Sequence, residues 1–404
     1  MKRSIIGCMV LFICVAAVTA CSSKNMPNRR EIDEMELVRV VGIDKSPADP
    51  EMIQLSAASK EQSTAGNKGG ELGTGKPKSF LFLSEGKTVF DAARTIQTHT
   101  DKKFFWGHVD FILMGEEAAR DDIGKYLDFF SRDGELRLDT RVFLVKGTSA
   151  RELLEKVSGS EVFVADQLKS LEKNVEMLSI SEAMELIELM EELDKGHSAG
   201  VVPSLFLTEH SGEHRGSSEE KTKNIEVDGY AVIKEFKLID FVGRPYSRGY
   251  NFIKNKARSM VIEVEDPAGK AIALELIDSR TRIIPEFEGD QLKKVIFETT
   301  FSSNIDEVHS RADVFNEETL TWLEEKQSQK IKEEMEYVIA LAQKNKADFL
   351  DLGHIINMKH PYKWHAIKEQ WNKIFPDLKT DVKVKSKIMR TYDIKEPIGY
   401  QGGQ

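Results

Sequence analysis

Cysteine is nearly absent from this 404-residue chain: there are three, Cys8, Cys14 and Cys21, all at or before position 21. The body beyond them can hold no disulfide staple, no thiol nucleophile and no zinc-thiolate site. Histidine is also sparse, at 9 residues. No H-E-x-x-H occurs anywhere, which removes the common signature of zinc peptidases. Positive charge is in deficit, with 57 Lys and Arg against 67 Asp and Glu and a net charge of −10. A chain so balanced is a poor candidate for nucleic acid and has no bulk attraction to anionic lipid. Beyond residue 18 there is no long apolar run, so nothing after the amino terminus reads as a membrane span.

What is present begins at the amino terminus. Met1-Lys2-Arg3 is a short positive start, Ile5 to Val18 an apolar stretch, and Val18-Thr19-Ala20-Cys21 a run of small residues closing on cysteine. This is the pattern of a bacterial lipoprotein signal, with residues 1–20 removed by cleavage between Ala20 and Cys21 and the Cys21 sulfur acylated. Two or three acyl chains hold a protein at a bilayer far more firmly than one. The apolar stretch is shorter than the roughly 20 residues a transmembrane helix needs. Residues 21–30 are polar and form a tether that reaches roughly 35 Å when fully extended.

The body alternates strand and helix signals. Strands are predicted over Glu36 to Ile43 and Met52 to Ala58, then Ser79 to Leu83, Val109 to Met114 and Thr140 to Val145. Between them lie predicted helices from Val89, capped by Thr88, and from Glu116 to Phe130. Ser149-Ala150-Arg151-Glu152 has capping-box spacing. A further helical stretch runs from Ile180 to about Gly196. Glu209 to Asn224 lacks any large apolar residue and reads as a linker, dividing an N-terminal domain, 31–208, from a C-terminal domain, 225–395. Past it, strands are predicted at Val227 to Phe236, Met260 to Glu265, Ala271 to Ile284 and Lys294 to Phe301. A long helix from Glu317 to Lys344, capped by Asn316, precedes shorter helices around Phe349 and from Tyr362 to Phe375, and a last strand, Asp381 to Arg390. The fold class expected is α/β in the mixed α+β sense: mixed sheets flanked by helices in two or three subdomains.

Motifs that suggest chemistry weaken on inspection. Gly70 to Lys76 fits the first seven positions of a phosphate-binding loop, but Pro77 stands where Ser or Thr must hold Mg²⁺, and a strand follows where a helix is needed. His108 and Asp110 have H-x-D spacing without a third ligand nearby, and His354, His360 and His365 are not spaced to share a helix face. His99 to Trp106 mixes basic and aromatic residues but reads as a turn into a core strand. Trp322, Trp364 and Trp371 read as packing residues, and Glu185 to Asp194 as a solvated helix face. No catalytic residue, metal site or cofactor is expected.

Several segments, in order, resemble the Ger(x)C lipoproteins, the C subunits of bacterial spore germinant receptors. Arg30 to Val38 followed by Val41-Gly42-Ile43-Asp44-Lys45 is similar to the family's opening. Gly107-His108-Val109, then Gly115 to Arg120, then Phe129 to Arg137 match its central stretch. Asp351-Leu352-Gly353, His360-Pro361 with Trp364, and Trp371 through Phe375-Pro376 resemble its C-terminal helices. The chain departs from the pattern at Tyr392, where a glycine is expected, and at Ile239-Asp240-Phe241, where a glycine-containing turn is expected. The resemblance implies a non-enzymatic, lipid-anchored subunit assembled with two integral-membrane partners, of A and B type, on the outer face of the spore inner membrane. It carries over Cys21 as the lipidation site and no ligand-binding residue. The alternative is a solute-binding lipoprotein that captures a nutrient between its two domains. A third alternative is an envelope hydrolase, which activity on peptidoglycan fragments would reveal.

Overall fold

The computed structural model describes residues 34–60, 79–157, 162–194, 199–209, 223–309, 314 and 316–391. Among them, two mixed sheets form, with helices packed on them. The first, sheet A, runs β3-β2-β1-β5-β6-β7-β8-β9, with β4 paired to β1. Its strands are β1 (Met35–Lys45), β2 (Ile53–Lys60), β3 (Ser79–Gly86), β4 (Lys103–Phe105), β5 (Phe111–Gly115), β6 (Arg141–Val145), β7 (Gly200–Glu209), β8 (Lys223–Lys234) and β9 (Lys237–Val242). β1, β5, β6 and β7 are parallel, and the strands outside them on both sides are antiparallel.

Parallel strands covered on both faces should be apolar throughout rather than alternating. Phe-Ile-Leu-Met-Gly of β5 is buried at every position, and β6 is buried after Arg141. One face of sheet A is covered by α1 (Val89–Thr95), α2 (Glu116–Asp121), α3 (Ile123–Arg132) and α6 (Leu186–Asp194). The other is covered by α4 (Ala150–Val157) and α5 (Val164–Leu178).

Sheet B has the order β10-β11-β12-β13, formed by Val261–Glu265, Ala271–Glu288, Gln291–Val308 and Lys379–Thr391. Its inner face packs on α8 (Glu317–Lys344), which buries Leu323, Ile331, Met335, Val338 and Ala342 as a stripe at helical spacing. Between the sheets lies α7 (Ser247–Ile253). Its Asn251 accepts the Tyr230 hydroxyl proton at 2.7 Å and donates to the Ser179 carbonyl at 2.6 Å. Gly249 sits so close to α8 that a Cβ there would stand 2.3 Å from the Glu334 carbonyl oxygen. After α8 come α9 (Leu352–Lys359), α10 (Pro361–Ile367) and α11 (Trp371–Ile374).

Some expectations meet a different structure. The segment 116–130 is two helices, because extended Asp122 interrupts it and caps the second helix by accepting Lys125 N–H at 3.3 Å. In the stretch from Ile180 the helix starts only at Leu186, because the chain before it runs beside β6, Met184 accepting from Val142 N–H at 2.9 Å. Glu209 and Lys223 are partners in the β7–β8 pairing, so the stretch read as a linker joins two adjacent strands of one sheet. Sheet A continues to Val242, and one apolar core links Val201, Tyr230, Val232 and Val242 to α7 and sheet B. Ile239-Asp240-Phe241 lies within β9.

Candidate functional site

The residues expected to carry chemistry, Ala20 and Cys21, lie outside the described residues, as does the Gly70 to Pro77 stretch. Asp110 is spent on ion pairs, with Arg39 and, at 2.9 Å, with Lys169, while His108 packs against the Phe105 ring. Phe104 and Trp106 are core residues. Trp371 is buried and Trp364 packs against it, but Trp322 is partly exposed, donating to the Glu265 carbonyl at 3.1 Å beneath the Lys326 ammonium.

Topology singles out a crevice instead. From β5 the chain leaves to α2 on one face of sheet A; from its neighbour β6 it leaves to α4 on the other. Adjacent parallel strands whose connections part in this way open a crevice at their carboxyl ends, the usual ligand position in such sheets. A cleft of about 660 Å³ lies there, lined by Asp44 and Lys45 at the end of β1, Glu116, Glu117 and Arg120 on α2, Thr148 just before α4 and Arg151 in its first turn.

Asp44 organises it. Its two oxygens accept the backbone N–H groups of Ala150 and Arg151 at the start of α4, each at 2.8 Å. A carboxylate beside the unpaired N–H groups of a helix start is favourable. Burial nonetheless dominates and pushes the Asp44 carboxyl up to about 6, against those two donors. Gly115 leaves the space: a Cβ there would lie 2.0 Å from Asp44 Oδ1. Glu116 accepts Gly147 N–H at 2.9 Å and the Arg120 guanidinium at 2.7 Å. Partial burial raises its pKa, but these donors outweigh it and hold the carboxyl below its usual range. Ser149 Oγ accepts Glu152 N–H at 3.0 Å, the helix cap anticipated from sequence, and Thr148 donates to the Glu152 carboxylate. Ser149 thus caps α4, and the Thr148 hydroxyl is tied to the Glu152 side chain one turn further on.

A second buried carboxylate organises the C-terminal helices. Asp348 accepts Leu352 N–H at 2.9 Å, Gly353 N–H at 2.8 Å and the Trp371 indole N–H at 3.0 Å. Complete burial raises its pKa to about 6 despite the three donors. Gly353 has no room for a side chain, since a Cβ would meet Trp364 Cη2 at 2.7 Å.

These two sites take in several of the motifs noted in the sequence: Gly42 to Lys45, Gly115 to Arg120, Asp351-Leu352-Gly353, Trp364 and Trp371. Two family models match the chain, "Spore germination protein N-terminal domain" over residues 28–207 and "Spore germination B3/ GerAC like, C-terminal" over residues 228–392. The chain belongs to the Ger(x)C family. Spore germination protein KC of Bacillus subtilis (strain 168) is 21% identical over 412 residues, covering 99% of both chains. Spore germination protein YndF of the same organism is 24% identical, covering 93% of this chain and 94% of its own. Among solved structures, the crystal structure of the GerBC protein superposes with a TM-score of 0.52 at 17% identity, covering 89% of this chain and 100% of that one, a likeness of fold. The two models divide between 207 and 228, at the β7–β8 connection. For a Ger(x)C chain, the motif glycines and carboxylates here have a structural meaning: they fix helix starts against sheet and helix.

Sequence reading did not foresee the Asp44 contact, because α4 lies 106 residues further along the chain. Asp348 carried a weak signal, an aspartate shortly before a helix start.

Proposed function

We propose that this chain is a lipid-anchored, non-enzymatic subunit of a spore nutrient germinant receptor. Cys21 holds it on the outer face of the spore inner membrane, beside two integral-membrane subunits of A and B type. The observation that carries this reading is the match of both family models, which together span nearly all of the body, with relatives named as spore germination proteins. The lipoprotein signal supports the anchor. Among the described residues no helix is long and apolar enough to cross a membrane. Replacing Cys21 by Ala is expected to release the protein from the membrane and abolish germination on nutrients. Retention and germination both unchanged would overturn the reading.

A second reading, direct capture of a nutrient, draws support from the cleft of about 660 Å³ at the ends of β1, β5 and β6. The cleft lies at strand ends of sheet A, not between the two domains as the alternative reading of the sequence had it. Calorimetry of the purified chain with candidate nutrients separates the readings: micromolar binding, lost in Lys45→Ala, favours the second.

A further inference from the structure

The strand orders of the two sheets end in β3 and β9, and in β10 and β13. An edge strand presents unpaired backbone groups, and natural proteins blunt it with charge, proline, a bulge or a cover. On β10 every second carbonyl is capped: Val261 accepts from Arg248 at 3.0 Å, Glu263 from Lys330 at 2.7 Å and Glu265 from the Trp322 indole at 3.1 Å. On β13 Glu324 accepts Ile388 N–H at 2.8 Å, and Lys383, Lys385 and Lys387 alternate along the strand. β9 is short, lies against α2, and carries Lys237 and Asp240.

β3 has none of these devices in its amino half. It pairs with β2 without a register shift, from Lys60 opposite Ser79 to Ile53 opposite Gly86. Ser79-Phe80-Leu81-Phe82-Leu83 holds no charge and no proline. Among the described residues, nothing outside β2 bonds to the backbone of residues 80–83. Phe80 is 38% exposed, and Leu81, Phe82 and Leu83 are half-buried. The carboxyl half, by contrast, is covered by α1. Ser84 donates to the Ala92 carbonyl at 2.8 Å, and a Cβ on Gly86 would stand 2.3 Å from Ala92 N.

We propose that this edge pairs with the same edge of a second copy of the chain, joining two copies of sheet A antiparallel about a two-fold axis. Residues opposed across the new pair share a sheet face, so their numbers differ by an even amount. With the pairing centred on Leu81, clear of α1, Leu81 faces its own copy, Phe80 faces Phe82, and Ser79 faces Leu83. Cross-strand aromatic pairs stabilise such a contact, and no charge enters it. The same operation on β13 would set lysine against lysine, which destabilises. The axis stands normal to the sheet, so with the axis along the membrane normal both tethers leave at the same height. One strand pair is a small contact, and confinement of both copies to one membrane raises its occupancy. To that extent the proposal rests on the reading of the chain as membrane-anchored.

Thiol cross-linking of the full chain in spore membranes tests this. The body has no cysteine past Cys21, so a cysteine placed at Leu81 is its one thiol once Cys21 is acylated. Leu81→Cys is expected to give a disulfide-linked dimer about tenfold more abundant than Leu138→Cys, an exposed site just before β6. Adding Phe80→Lys should abolish the cross-link and leave the melting temperature unchanged. The linked species should stop at two chains, because the pairing uses the free edge of both. Recovery of the chain in the membrane fraction scores the anchor separately; if it is soluble, the anchored reading fails, and the same comparison on the purified chain still decides the pairing. Equal cross-linking at positions 81 and 138, or a ladder beyond two chains, would overturn the proposal. So would a cross-link from position 81 to an integral-membrane subunit in place of a second copy, which would indicate a partner's strand at this edge.

Discussion

Gly115 and Asp44 stand so close that a Cβ on the glycine would lie 2.0 Å from the aspartate Oδ1. The contact joins the ends of β5 and β1 and, through Asp44, holds the start of α4. Gly115→Ala must therefore displace the carboxylate from the N–H groups of Ala150 and Arg151. The expected loss is about 1–3 kcal/mol, as for overpacking and the release of buried donors. Asp44→Ala should cost a similar amount without the steric conflict. Urea unfolding of both variants checks this, and a neutral Gly115→Ala would contradict the packing described.

Asp44 and Asp348 share a pH signature. Burial raises each carboxyl from 3.8 to about 6, so each takes up a proton on folding in the window between. Their contribution is complete below pH 3.8 and is lost as the pH rises through about 6, by about 3 kcal/mol per group. The stability of the parent relative to Asp348→Asn should therefore fall between pH 4 and pH 7. Urea midpoints at both pH values measure it, and a constant difference would be inconsistent with the burial of Asp348.

Asp348→Ala removes the acceptor for three buried N–H groups at once. Each orphaned donor costs about 1–3 kcal/mol, so this is expected to be among the most damaging single changes in the C-terminal region. Trp371 reports it directly, since its indole loses a partner at 3.0 Å. Its emission and near-ultraviolet dichroism should change even where the fold survives.

Arg248 and Glu334 form a buried ion pair between α7 and α8. Burial raises the Glu334 carboxyl even though Arg248 opposes the shift. Truncating Arg248 alone to Ala should cost about 3–5 kcal/mol, because it strands a buried charge. Replacing both residues by apolar ones of similar size should cost much less. A double-mutant cycle measures the difference.

Helix ends and apolar periodicity were legible in the sequence. α8 has the bounds that its stripe and Asn316 indicate, and the Asn316 side-chain Oδ1 accepts Thr319 N–H at 2.8 Å. Thr88 and Ser149 likewise cap the helices that follow them. α5 was missed although Val164, Leu168, Leu171 and Val175 recur at helical spacing, because polar residues dominate the rest of it. α7 is short and buried on all sides, so it has no amphipathic period to read. The continuity of sheet A across 209–224 was hidden for a different reason: local composition marks an exposed connection, not which strands it joins. The crevice and the Asp44 cap depend on contacts across more than a hundred residues, which no local pattern encodes. What the motif glycines share is lack of space, visible only once Gly115 meets Asp44 and Gly353 meets Trp364.

The central claim is that this chain works as one subunit beside two integral-membrane subunits. Affinity isolation of the full chain from solubilised spore membranes tests it most directly. Co-elution of both an A-type and a B-type subunit in fixed proportion, lost when Cys21 is replaced by Ala, is the predicted result. Elution of the chain without either subunit, from membranes that contain both, would contradict it.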